Sequence, residues 1–459
     1  MIKDKSINIP VTLGEAKTST MCLLPFMHLH TWPSGQVFPC CVYDSKHPIG
    51  NMNEASLQDI WNNDEMRTLR KQLIEGEMPT NCRRCFQRED EGISSFRLYR
   101  NAQYYTEDTI NAVRSALEND YKIDDFHLYY WDFRNSNLCN MTCRTCGPEL
   151  SSKWHEDSKA IWGLYLYPDN NGLVESAGKQ LQEIHDIIDR DVDKVLHVYF
   201  AGGEPLINDM HYYILNKLIE HERFDVTISY NTNLLHLQYK NYDLVEMWDK
   251  FNRIEVWASI DAIGPRAEYI RRGTNWSRVD ANLKTMLENK HIEFKVTPVI
   301  SLLNVLHIPD FISYMMDLGL ECWQIYMSNI LLDPLTYHLA MLPRNLKMQV
   351  RESFAEFLLD LENKGYGERT IEYYRNSFSG ITNYLNVDIG DHDNRIKIAQ
   401  NFIYVTETLD RVRKQNFLET FPELKEYWDT CAGIPQPPWR KDKMENTHGQ
   451  WRKDKIKNV

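Results

Sequence analysis

"NLCNMTCRTCGPEL", residues 137–150, sets Cys139, Cys143 and Cys146 within eight positions, with gaps of three residues and then two. A disulfide framework uses an even number of cysteines, and structural zinc takes four ligands, commonly as paired C-x-x-C units. Three thiols with nothing to close the set suit another task. A [4Fe–4S] cluster has four irons and cysteine thiolates as its usual ligands. Three cysteines on one loop therefore hold three corners and leave one iron open to chelate a group that is not protein. The competing reading is a zinc site completed by a distant ligand, with His155 close by in sequence.

The surroundings of the trio point to an α/β fold. Candidate strands at 126–133, 194–201, 225–232, 253–260, 293–300 and 322–328 alternate with amphipathic stretches such as "INDMHYYILNKLIEH" (207–221). Such alternation predicts parallel βα units closing into an open sheet or a full or partial barrel, with the chemistry at the carboxyl ends of the strands. The trio begins six residues past the first candidate strand, in a loop at that end. The connection from 147 to 193 is longer than one crossover needs and predicts an insertion.

Cys139-x3-Cys143-x2-Cys146 in the loop after the first strand resembles the cluster-binding motif of the radical S-adenosylmethionine (radical SAM) enzymes, and the resemblance extends over most of 121–330. It implies a partial (β/α)6 TIM-type barrel. After the second strand comes "GGEP" (Gly202, Gly203, Glu204, Pro205), similar to the family's segment that receives the methionine amino group. Paired glycines let the backbone approach a ligand closely, and a carboxylate suits an ammonium. Asn231 in "YNTN", Ser259 in "SID", and Arg271 and Arg272 in "YIRRG" match segments near the ribose, carboxylate and adenine; one of the two arginines is implied to face the SAM carboxylate. Asn304 reads either as a pocket residue or as a helix cap. The chain departs from the family at Thr145, where an aromatic residue usually precedes the third cysteine. The resemblance implies reductive cleavage of SAM at the open iron to a 5′-deoxyadenosyl radical that takes hydrogen from substrate, with electrons from a reductant such as flavodoxin or ferredoxin. No residue stands out as a further catalytic acid or hydrogen donor; Cys322, in the sixth candidate strand, reads as a donor facing the barrel or as core.

A second cysteine set lies at the N-terminal side. Cys22, twelve residues, Gly35, four residues, Cys40, and then Cys82-x2-Cys85 resemble the auxiliary-cluster module called twitch, related to SPASM, here ahead of the barrel instead of behind it. "HLHTWPSGQVFPCC" reads as strand, turn and strand, which brings the first pair together. Four thiolates imply a second, auxiliary [4Fe–4S] cluster, whose role with all corners filled would be electron relay. Cys41 is left over, although spacing from Gly35 favours Cys40. A four-cysteine zinc ribbon is the alternative.

The chain of 459 residues carries a formal charge of −13, which argues against non-specific binding to nucleic acid or an anionic membrane. Its first twenty residues lack a signal-peptide run, and no stretch of about 18 apolar residues offers a membrane span, so a cytoplasmic location with reduced thiols is expected. The expected organisation is a leader (1–20), an α+β cysteine-rich module (21–100), a linking helix (101–120), the barrel (121–335), a helical extension (336–430) and a polar tail (431–459) in which "WRKDK" occurs twice. The substrate is expected to be a peptide or protein; a small molecule or nucleotide, and a non-catalytic metal-binding protein, are the alternatives.

Overall fold

Side-chain alternation along six parallel strands sorts this chain into an apolar outer face and a polar inner one. In the computed structural model, residues 19–90, 94–168, 171–174 and 181–435 are described; the leader to residue 18 and the WRKDK repeats fall outside them. The strands are β1 (His28–Thr31), β2 (Gln36–Phe38), β3 (Gly50–Asn51), β4 (Tyr130–Phe133), β5 (Thr142–Cys143), β6 (His197–Phe200), β7 (Thr227–Thr232), β8 (Gln238–Tyr239), β9 (Tyr242–Asp243), β10 (Ile254–Ala258), β11 (Arg271–Arg272) and β12 (Ile292–Val296). The main sheet has the order β12-β10-β7-β6-β4-β1-β2-β3. It is parallel from β12 to β1, and β2 and β3 add an antiparallel edge. With helices crossing between strands, this is a mixed α/β partial barrel.

Period-two alternation puts Val198, Ile228, Ile254, Val256 and Phe294 on the outer face, where all are buried in the main core. Bonds between neighbouring strands identify the other face as the lumen: His197 Nε2 meets Ser229 Oγ at 2.7 Å, and Ser229 Oγ donates to Glu255 Oε2 at 2.8 Å. Higher up, Trp32 Nε1 donates to His30 Nε2 at 2.8 Å, which leaves the proton on His30 Nδ1, 2.9 Å from Asp132 Oδ2. Arg134 closes this chain with two bonds to Asp132, at 2.9 and 3.1 Å.

Three features differ from the sequence expectation. The N-terminal module is no separate appendage: β1 pairs with β4 in parallel register, His28 with Tyr130 and His30 with Asp132. The stretch expected as a linking helix holds the end of one helix (Phe96–Gln103) and a second (Glu107–Glu118) begun by a Thr106–Thr109 capping box. At that break Tyr104 OH bonds His197 Nδ1, and the Arg100 guanidinium lies 5.0 Å from the Tyr130 ring centroid, so the break seals the base of the lumen.

The sixth strand expected at 322–328 is a short 3-10 helix (Cys322–Gln324) begun by a Glu321–Gln324 capping box. Gln324 Nε2 donates to Phe294 O at 3.0 Å, so a side chain serves the edge that a strand would have covered. Only the parallel bridges Val296–Ile325 and Ile300–Ile330 continue the sheet there. Cys322 is half-buried and close to Tyr373 and Tyr374 of the helix Glu368–Tyr384. The C-terminal part is helical, with Arg344–Asn363, Glu368–Tyr384 and His392–Arg413 the long members. Among the described residues no helix is long and apolar enough to cross a membrane.

Candidate metal centres

The trio loop leaves β4 and is held by contacts with distant segments more than by its own secondary structure. Cys139 and Cys143 are buried and Cys146 is half-buried. Burial pushes the Cys146 thiol up to about 12, with the charge of Cys143 adding to it; Cys139 and Cys143 are raised for the same first reason. Three crowded, desolvated thiols are poor acids alone and good metal ligands, because a bound cation favours the thiolate. All ten cysteines are free thiols.

Antiparallel pairing of β5 with β11 sets Arg271 opposite Cys143 and Arg272 opposite Thr142. Arg271 forks onto Asp261 at 2.7 and 2.9 Å and reaches Cys143 Sγ at 3.8 Å, whereas Arg272 is exposed. Of the two arginines, Arg271 is the one beside the trio.

"GGEP" packs directly onto the start of the trio loop. A Cβ on Gly203 would stand 2.1 Å from Leu138 O, so only glycine fits, and Glu204 N donates to that same oxygen at 2.8 Å. Glu204 is buried and accepts from Thr232 Oγ1 at 2.7 Å, Asn233 N at 2.8 Å and Leu206 N at 3.2 Å. Burial outweighs these bonds and pushes its carboxyl up to about 7. Pro205 begins the turn Pro205–Ile207. Asn231 stands in register with Trp257 on the lumen face, its Oδ1 buried and without a partner. Ser259, one residue past β10, donates its N–H to Thr232 O at 2.8 Å. Asn304 is spent on the scaffold: Oδ1 accepts from Ser301 N at 2.8 Å, and Nδ2 bonds Asp261 O and Val299 O at 2.9 Å.

The second set gathers around a cavity. Cys22, Cys40, Cys82 and Cys85 line it together with Leu24, Val42, Tyr43, Leu73, Phe96 and Arg97. Gly35, at φ +88°, makes the turn between β1 and β2 that delivers Cys40. Cys82 ends the turn Thr80–Cys82, and Cys85 sits on the helix Arg83–Asp90. Burial pushes Cys22 up to about 12, and Cys40, Cys82 and Cys85 rise for the same reason. Cys41 is not in this lining; the charged groups bearing on it are Arg134, Asp132 and Arg100, all on the lumen side. Of the two adjacent cysteines, Cys40 is the one that lines the cavity.

In both sets the donor chemistry fits iron–sulfur ligation, three thiols in one and four in the other. Among the described residues no three His, Cys, Asp or Glu side chains converge as tightly as a single ion requires. A cluster places its irons between the thiolates and needs them farther apart. His155 stacks on Tyr165 at 4.0 Å between ring centroids.

Sequence reading missed the C-terminal contribution. Arg144, inside the trio, bonds Asp410, 266 positions away, and its guanidinium lies 3.9 Å from the Tyr269 ring centroid. An arginine between two cysteines of the trio was the available signal; its partner was not readable.

Comparison with known proteins agrees with this division. Residues 136–313 match the family model described as the radical SAM superfamily, and residues 22–86 match SPASM, described as an iron–sulfur cluster-binding domain. No curated protein matches the chain. Among solved structures, native anSMEcpe with bound AdoMet aligns at 19% identity over 50% of this chain and 58% of that one, with a TM-score of 0.31. Streptococcus suis SuiB bound to S-adenosylmethionine aligns at 17% over 66% and 65%, with a TM-score of 0.33. SuiB bound to its precursor peptide SuiA aligns at 14% over 66% and 64%, with a TM-score of 0.31. The chain thus spans less than two thirds of the length of each.

Proposed function

Because this chain belongs to the radical SAM superfamily and carries a SPASM iron–sulfur domain ahead of its barrel, we propose that it is an enzyme generating a 5′-deoxyadenosyl radical to modify a peptide or protein. Cys139, Cys143 and Cys146 would hold a [4Fe–4S] cluster with one iron left for SAM; Cys22, Cys40, Cys82 and Cys85 would hold an auxiliary cluster. When bound, the trio cluster and SAM supply the radical. The chain's own residues bind and orient. Glu204, buried and short of a positive partner, suits the methionine ammonium, and the Gly203 contact fixes it against the loop. Arg271 suits the SAM carboxylate while remaining paired with Asp261. Asn231 and Ser259 are assigned to the nucleoside side, and Asn231 has a buried acceptor to offer.

The observation that carries this reading is the packing of "GGEP" on the trio loop with Arg271 on its other side, since a SAM site needs these three together. The peptide assignment rests on the SPASM domain. A one-electron protein reductant such as flavodoxin or ferredoxin is the proposed partner, and the reduced cytoplasm the proposed compartment. Anaerobic reconstitution followed by SAM and dithionite tests the function: 5′-deoxyadenosine should appear, and Cys143→Ala should abolish it. No release from protein holding both clusters would refute it.

A further inference from the structure

The helix His392–Arg413 lies beyond the segment matched to the radical SAM family, yet it bonds both the trio loop and the helix that follows it. Arg144, 1% exposed and adjacent to Cys143, donates through Nη2 to Asp410 Oδ1. The same oxygen accepts from Tyr269 OH at 2.7 Å, and Oδ2 accepts from Phe417 N at 2.7 Å. Asp410 thus ties together the trio loop, the segment before Arg271 and the chain after its own helix. Three residues on, Arg413 bonds Asp157 at 2.9 Å, on the helix His155–Trp162 that follows the trio, and its charge bears on Cys143. The Arg144 guanidinium also faces the Tyr337 hydroxyl, and Arg413 Nη1 is buried without a hydrogen-bond partner. A buried Arg413 donor lacking an acceptor, on a guanidinium whose charge bears on Cys143, suits an anionic group there, which a thiolate-bound cluster would be.

We infer that this helix is a working part of the radical-generating site, with Asp410 a positioning residue that acts through Arg144 on the conformation and charge of the Cys143–Cys146 loop. The inference rests on the proposed assignment of a cluster to the trio. Arg144 and Asp410 are opposite charges beside one redox centre, so removing either should shift its potential, and in opposite directions. Asp410→Asn leaves the cation uncompensated and favours the more negative, reduced cluster; Arg144→Gln does the reverse.

The test is a redox titration of the reconstituted holoenzyme, followed by electron paramagnetic resonance, with the auxiliary cluster as internal control. Asp410→Asn should move the trio midpoint to a more positive value, Arg144→Gln to a more negative one, and the double variant back toward wild type, with the auxiliary midpoint fixed. Shifts of the same sign, or none, would overturn the inference. A variant that loses trio iron is read by hydrogen exchange of residues 139–150 in the metal-free chain, with Tyr269→Phe as a milder companion. Exchange should rise by at least several-fold in each, and unchanged exchange overturns the inference. Should the wild-type chain bind no iron through Cys139, Cys143 and Cys146, the cluster assignment itself fails. A trio cluster indifferent to both charges defeats the helix's role alone.

Discussion

The two cysteine sets are built in opposite ways. The auxiliary set joins two locally formed pairs, one on a hairpin turning at Gly35 and one on a 3-10 turn running into a helix at Arg83, and it encloses its own cavity. The trio sits on a loop whose only strand is two residues long, and its shape is imposed by Leu138 against Gly203, Arg271 on Asp261 and Arg144 on Asp410. Four thiols that close a site need little beyond themselves. Three that leave a corner open need the rest of the fold to define what enters it.

Breaking the comparison at its strongest point means removing one trio thiol. Cys143→Ala should eliminate 5′-deoxyadenosine release and lower iron from about eight to about four per chain, as read by iron assay after reconstitution. Next comes the division between neighbours. Cys40→Ser should cost the auxiliary iron, whereas Cys41→Ser, outside that lining, should keep it; equal losses would merge what the geometry separates.

Glu204 gives an intermediate effect. Glu204→Gln should weaken SAM binding by about 10–100-fold, the equivalent of one charge-assisted contact, measured by equilibrium dialysis on reconstituted protein. Its pH behaviour has a definite sign. Burial raises the folded carboxyl from 4.5 to about 7, so between those values the folded chain holds more protons than the unfolded one. Its contribution to stability is therefore present at low pH and lost as pH rises through about 7. Urea midpoints of the SAM-free protein at pH 5 and pH 7.5 should fall less for Glu204→Gln than for the wild type. The smallest effect belongs to Arg272→Ala, which at an exposed position should stay within about 0.5 kcal/mol of wild-type stability; Arg271→Ala should be clearly worse, because Asp261 would be left buried without its partner.

Much of the site was legible because it is local. The trio spacing, the "GGEP" turn after a strand and the Pro-Ser-Gly turn each fit within a few residues, and periodicity marked the central strands. What escaped depends on pairing at a distance. Nothing around His28–Thr31 announces that β1 joins the barrel sheet beside β4, a hundred residues later. Arg144 does not name Asp410, and Arg271 cannot be told from Arg272 until β11 pairs with β5 and fixes which side chain meets Cys143. At 322–328 the apolar alternation of "CWQIYMS" favours a strand, but the Glu321–Gln324 cap closes the chain into a turn and spends Gln324 on Phe294 O. Local preference lost there to a side-chain substitute for the ladder bond.

The central claim is that the trio leaves an iron open and the auxiliary set does not. Electron paramagnetic resonance of the dithionite-reduced protein, with and without SAM, tests it directly when run on wild type and on a Cys22→Ala/Cys40→Ala variant holding the trio cluster alone. SAM should change the spectrum in both, and the auxiliary signal, obtained from Cys139→Ala/Cys143→Ala/Cys146→Ala, should be indifferent to it. A trio signal unmoved by saturating SAM, or an auxiliary signal that SAM perturbs, would contradict it.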